Sequence, residues 1–299
     1  MDLFQGNLAT YNLIHAIWIG HCAFRLMASG GTGLILGATS KGLFIEIQPG
    51  EVIFVSGDAY RGPITINLET TLNCKALFSV GETCQLHEDR LTSREFQILI
   101  NHDTQIWDPA PIRLEKNGLA NAIQRGIDLT RELIKEYQEG LFYTLLDVLV
   151  SQSVKFSKER LLDLIPGIKD EGNLGSRFSG LLGLGRGLTP AGDDFLCGFL
   201  LASFYVNESA ARMENEPDLF HQITAEAQKK TTALSAALIK CAAMGEGDER
   251  LLDALRWIAQ GERNIAHARE SLLSYGSSSG VDALAGMLTA LFLLRYAQR

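Results

Sequence analysis

The sequence predicts an α+β protein: a β-rich N-terminal part, barrel- or sandwich-like, followed by an all-α part. Three observations predict it. Short runs rich in Ile, Val and Phe fill the first third ("GLFIEIQ", "EVIFVSG", "PITINLE"), punctuated by Gly, Pro, Asp and Asn. From Asn117 onward apolar residues recur at helical rather than alternating spacing. Beyond residue 190 nearly every segment reads as helix. A boundary is expected near residue 115, giving domains 1–115 and 116–299.

The elements follow in order. "YNLIHAIWIG" suits helix and strand equally, because a short apolar run has no decisive period. Trp107, Asp108 and Pro109 read as a turn closing the β region. "LANAIQRGIDLTRELIKEYQEG" is amphipathic at helical spacing, and "LFYTLLDVLVSQSV" continues as a more apolar helix. A Gly-, Asp- and Ser-rich loop is expected over 166–186. Helices are expected over 190–206, 220–244, 249–260, 262–275 and 281–298. The apolar run 281–294 is too short to span a bilayer and reads as a buried helix. The apolar stretch 8–27 carries His15, His21 and Arg25, which makes it a poor membrane span.

Composition narrows the function. The formal net charge is -8 and there is no dense Lys/Arg run, which argues against nucleic acid or an anionic membrane as partner. A small anionic substrate remains compatible, because a local site can be positive in an acidic protein. The five cysteines are widely spaced with no C-x-x-C, so reduced thiols and a cytoplasmic location fit better than a disulfide framework or a zinc site.

The chemistry concentrates in "GLGRGLTPAGDDFLCGFLLASFY" from Gly183. Thr189 and Pro190 read as N-cap and first residue of a helix. Asp193 and Asp194 then sit where the macrodipole favours negative charge, by about 0.3–1 kcal/mol. That suffices for one aspartate. Two adjacent ones point about 100° apart, and the following residues from Phe195 to Val206 carry no charge. Buried carboxylates must be paired, metal-bound or protonated. Gly183, Gly185 and Gly187 permit close backbone approach, and with Arg186 and the helix N-terminus they form a candidate oxyanion cradle. The spacing matches neither familiar nucleotide fingerprint.

The motif has an echo. "GDDFLCGFL" from Gly192 reappears as "GVDALAGML" from Gly280, and Gly192, Asp194, Leu196, Gly198 and Leu200 each match a residue 88 positions later. A glycine inside an apolar helix costs about 1 kcal/mol relative to alanine, which close helix packing at Gly198 and Gly286 would offset. The expectation is that the two helices pack with their N-termini side by side. Asp193, Asp194 and Asp282 would then face one site together with Thr189, Ser277, Ser278 and Ser279. Ser279 and Asp282 also fit a purely local capping box. Thr231, Thr232 and Ser235 either add hydroxyls to this site or simply allow tight packing. His267 reads as a partly exposed helix histidine, and the neighbours His21–Cys22 and Cys84–His87 carry little weight as catalytic pairs.

At these residues the sequence resembles a bacterial family whose AllH-type members are assigned as one subunit of oxamate carbamoyltransferase in allantoin breakdown. Three blocks carry the resemblance: "GLGRGLTPAGDDFLCG", "TTALSAALIKCAAMGE" and "GSSSGVDALAGML". The N-terminal half matches only loosely, through "HCAFRLM" and "RGPITINL". Two departures stand out: Ala191 replaces a frequent serine, and Ser277 stands where a histidine is frequent. The resemblance implies transfer of a carbamoyl group between oxamate, as oxalurate, and phosphate, with partner subunits. Carboxylates repel phosphate, so Asp193, Asp194 and Asp282 would need a divalent cation, Mg²⁺, or would orient the carbamoyl NH₂. The rival expectations are a non-catalytic subunit holding a nucleotide or metabolite, and a metal-dependent hydrolase.

Overall fold

The computed structural model describes residues 12–70, 74, 79–94, 96–114, 118–135, 140–151, 157–168, 173–209 and 219–297. The expected 115/116 boundary and the ends of the first two expected helices lie outside them. The chain divides into two units, Met1–Asp108 and Pro109–Arg299.

The first unit is a β-barrel. Its strands are β1 (Asn12–Gly20), β2 (Gly31–Ala38), β3 (Gly42–Gln48), β4 (Glu51–Ser56), β5 (Thr65–Leu68), β6 (Thr83–His87), β7 (Arg90–Thr92), β8 (Phe96–Leu99) and β9 (Gln105–Trp107). They run in the order β5-β4-β3-β2-β6-β7-β8-β1-β9, and β1 also pairs with β5, so eight strands close on themselves. A register shift between Ala16 and Trp18 lets β1 serve two sides: Asn12–His15 lie parallel to β8, and Ala16–Ile19 lie antiparallel to β5. β9 then adds beside the end of β1.

Period two decides the segment the sequence left open. Ile14 and Ala16 are buried while Leu13 and Ile17 are exposed, so "NLIHAIWIG" is strand; Tyr11 lies outside the described residues. Ile35, Leu43, Ile45, Ile53, Val55, Ile66 and Phe96 join them in the barrel core. Helix α1 (His21–Ser29) follows β1 directly and buries Cys22, Ala23 and Met27.

The second unit is helical: α2 (Leu119–Leu133), α3 (Tyr143–Ser151), α4 (Lys158–Asp163), α5 (Leu174–Ser179), α6 (Ala191–Ser209), α7 (Leu219–Lys230), α8 (Ala233–Ala243), α9 (Glu249–Gln260), α10 (Ile265–Ser274) and α11 (Ser279–Ala297). Two expectations need correcting. The loop expected over 166–186 contains α5, because the Asn173 side chain caps a helix by accepting from Ser176 N–H at 2.8 Å. The single helix expected over 220–244 is two, because Thr232 caps a fresh start by accepting from Ser235 N–H at 3.1 Å.

The centre of this unit is α6 against α11. Helix α11 has 19 residues and is long and apolar enough to cross a membrane, so it exceeds the short run read from the sequence. The expectation of burial holds: 83% of its apolar window is inside the fold.

Candidate functional site

The two glycine-bearing helices meet where the repeat predicted. A methyl group on Gly198 would collide with the Ala283 carbonyl, and one on Gly286 with the Phe195 carbonyl. Residues 195 and 283 are themselves a repeat pair, as are 198 and 286. The two contacts therefore exchange when the helices are swapped, as across a local two-fold axis. The correspondence extends to the helix starts. The Pro190 carbonyl accepts from the N–H groups of Asp193 and Asp194, and the Ser278 carbonyl accepts from those of Val281 and Asp282. Gly192 abuts the Leu181 carbonyl, and Gly280 abuts that of Leu272. Pro190 rather than Thr189 thus occupies the cap position of α6, one residue later than the sequence suggested.

Asp193, Asp194 and Asp282 are all buried, at 1%, 2% and 0% exposure. They do not play equal parts. Asp193 uses both oxygens locally: Oδ1 accepts from Gly183 N–H at 2.9 Å, and Oδ2 from the Thr231 hydroxyl. Burial raises its pKa, and these bonds, with the Ser235 hydroxyl beside it, pull the other way. Asp193 is a clamp holding the glycine loop and the start of α8 to α6.

Asp194 and Asp282 are the repeat pair, and they interact electrostatically across the helix junction. Burial pushes both carboxyls well above the ordinary range, and for Asp194 the charges of Asp282 and Asp193 push further. The Ser279 and Thr189 hydroxyls favour ionised Asp194. Ser279, on α11, therefore serves the aspartate of the other helix rather than a local box with Asp282. Beside Asp282 lie the Ser278 hydroxyl and the Phe142 N–H, which favour its ionised form without offsetting its burial. Asp194 Oδ2 and both oxygens of Asp282 are buried with no hydrogen-bond partner among the described residues. No described Lys, Arg or His forms an ion pair with either.

The remaining expected site residues divide. Gly183 spends its N–H on Asp193, so that group is not offered to a ligand. Its φ of 73° and the Lys230 carbonyl close beside it exclude a side chain. Gly185 and Gly187 also have positive φ, at 122° and 104°. They carry Arg186 and Leu188 out on an exposed turn, and no hydrogen bond or ion pair among the described residues joins Arg186 to the aspartates. Thr232 caps α8 and donates to the Leu188 carbonyl at 2.8 Å, pinning that turn. Ser277 is exposed, whereas Ser278 and Ser279 are half-buried at the niche.

Sequence reasoning missed two contributors. Tyr275 is within electrostatic reach of Asp194 and Cys197, and burial pushes its phenol well above the ordinary value. The Arg250 guanidinium lies 5.0 Å from its ring centroid and donates to Asp248 and to the Ser274 carbonyl. The second is Gly140, with φ 148°, where a methyl would stand 3.8 Å from Asp282 Oδ1. Neither lies within either motif, although the glycine before "LFY" was a visible turn signal. His267 was read as a partly exposed histidine; it sits 3.0 Å from Asp253, which also pairs with Arg256 and Arg263. His21 is exposed while Cys22 is buried, and Cys84 is buried while His87 is exposed, so neither pair makes a catalytic couple.

Residues 181–291 match the family model described as oxamate carbamoyltransferase subunit AllH. The matched span contains the glycine loop, Asp193, Asp194, the start of α8 and Asp282. No solved structure matches the chain.

Proposed function

The segment 181–291 is of the AllH type, and on that premise we propose that this chain is a subunit of a carbamoyltransferase. The reaction is that of oxalurate with phosphate to give oxamate and carbamoyl phosphate. One observation carries the reading: Asp194 and Asp282 are buried and uncompensated at two equivalent helix starts inside the matched segment.

In this reaction a phosphate oxygen attacks the carbamoyl carbon, the C–N bond to oxamate breaks, and the departing nitrogen takes a proton. The helix starts of α6 and α11 present their positive dipole ends to the developing oxyanion. Asp194 and Asp282 accept from N–H groups of the carbamoyl unit or gather counter-charge for the phosphate. Ser278, Ser279 and Thr189 orient these carboxylates. Tyr275 closes one side of the niche.

The matched description is of a subunit, so partner chains belong to the reading. The niche gains no positive side chain from the described residues. That also favours a second reading, a metabolite-binding subunit that regulates a catalytic partner. None of the five cysteines forms a disulfide among the described residues, as a reducing cytoplasm would have it.

Reconstitution separates the two. Carbamoyl phosphate formation from oxalurate and phosphate is measured with candidate partner subunits and the wild-type chain, Asp194→Asn or Asp282→Asn. Loss of one charged site group is expected to cost about 10²–10³ in kcat. Activity undiminished in both variants removes the catalytic assignment.

A further inference from the structure

We propose that the junction of α6 and α11 is a binding site for one hard divalent cation, Mg²⁺ or Mn²⁺, held between Asp194 and Asp282. The donors are Asp194 Oδ2 and the two oxygens of Asp282, all buried and without a hydrogen-bond partner of ordinary geometry among the described residues. Asp282 has no exposed surface at all, so solvent does not solvate it. An unpaired ionised carboxylate in such a place carries a penalty of several kcal/mol. The Ser278 hydroxyl and Phe142 N–H beside Asp282, and the Ser279 and Thr189 hydroxyls beside Asp194, offset it only in part, because burial still raises both carboxyls above the ordinary range.

The surroundings favour a cation over a basic side chain. Gly140 passes beside Asp282, where a Cβ would stand 3.8 Å from Oδ1, and glycines at 198 and 286 bring the two backbones together. That approach draws the two aspartate-bearing helix starts together. The oxygen-only donor set, with Ser279 and Thr189 at its margin, suits Mg²⁺ or Mn²⁺ rather than Zn²⁺. Asp193 contributes no ligand, since Gly183 and Thr231 occupy its oxygens. The half-buried Ser279 and Thr189 mark the side from which water or a substrate oxygen would complete the ion's shell, as Mg²⁺ requires.

The inference rests on the reading of this niche as the reacting site, but binding is measured on the full chain without substrate or partner. The two ideas therefore fail separately. After EDTA treatment, MnCl₂ is titrated into the chain and followed by electron paramagnetic resonance, and MgCl₂ by melting temperature. One tightly bound Mn²⁺ per chain is expected, displaced by Mg²⁺, with a raised melting temperature. Asp194→Asn and Asp282→Asn are expected to weaken Mn²⁺ binding by about tenfold or more. As a check that needs no variant, Fe²⁺ with peroxide and ascorbate should cleave the backbone at the starts of α6 and α11. Absence of tight Mn²⁺ in the wild-type chain overturns the proposal, as does cleavage confined elsewhere. Binding within threefold of wild type in both folded variants overturns it too. If metal fails while reconstituted activity depends on Asp194 and Asp282, the carboxylates act without an ion and the carbamoyltransferase reading stands. Metal binding without carbamoyl transfer leaves the site and removes the reaction.

Discussion

Asp193 and Asp194 are adjacent yet do different work, because consecutive helical residues point about 100° apart. Asp193 turns toward Gly183 and Thr231 and is satisfied; Asp194 meets Ser279 and Thr189 but leaves Oδ2 without a partner among the described residues. Thr231→Val should therefore strand one buried Asp193 oxygen. A loss of about 1–3 kcal/mol in unfolding free energy is expected from urea denaturation. No change would mean that Asp193 is paired some other way. The sequence singled out both aspartates, since two adjacent carboxylates before a long uncharged run are hard to explain as helix capping, and both are buried. It could not rank them, because the rank depends on what each side chain meets across the fold. For the same reason Tyr275 and Gly140 escaped notice: each approaches the niche from an element outside the two aspartate helices.

Among the elements, α6 and α11 form the structural core of the site. Gly198 and Gly286 each face a carbonyl of the opposite helix, so the pair tolerates no larger residue there. On an isolated helix Gly→Ala would gain about 1 kcal/mol of propensity. Here Gly198→Ala or Gly286→Ala should instead destabilise by about 1–3 kcal/mol or more, as overpacking does. Circular dichroism melts would register the loss, and a stabilised variant would contradict the close approach. The repeat made this packing legible in advance, because both glycines stood at matching places in matching helices. Element boundaries were less legible. The break between α7 and α8 turns on one Thr232 cap, and α5 on one Asn173 cap, each within a stretch whose overall pattern suggested otherwise.

At the scale of the molecule, barrel and helical unit each have their own core. The niche of Asp194 and Asp282 is built wholly from the helical unit. Residues 109–299 produced alone should therefore stay helical and unfold cooperatively. Far-ultraviolet circular dichroism with urea denaturation tests this, and a molten or aggregated product would show that the helical unit does not stand alone.

By itself the sequence determined the α+β class, the buried C-terminal helix and the pairing of two aspartate helices. All three are written in local patterns: alternation, helical period, and a motif repeated 88 residues on. Only the tertiary structure decided that eight strands close into a barrel through a register shift in β1. It alone decided that Ser279 serves Asp194, and that three carboxylate oxygens of Asp194 and Asp282 are left without partners among the described residues. Those facts depend on which groups meet after residues far apart in the chain are brought together, and no spacing along the chain encodes the direction in which a side chain finally points.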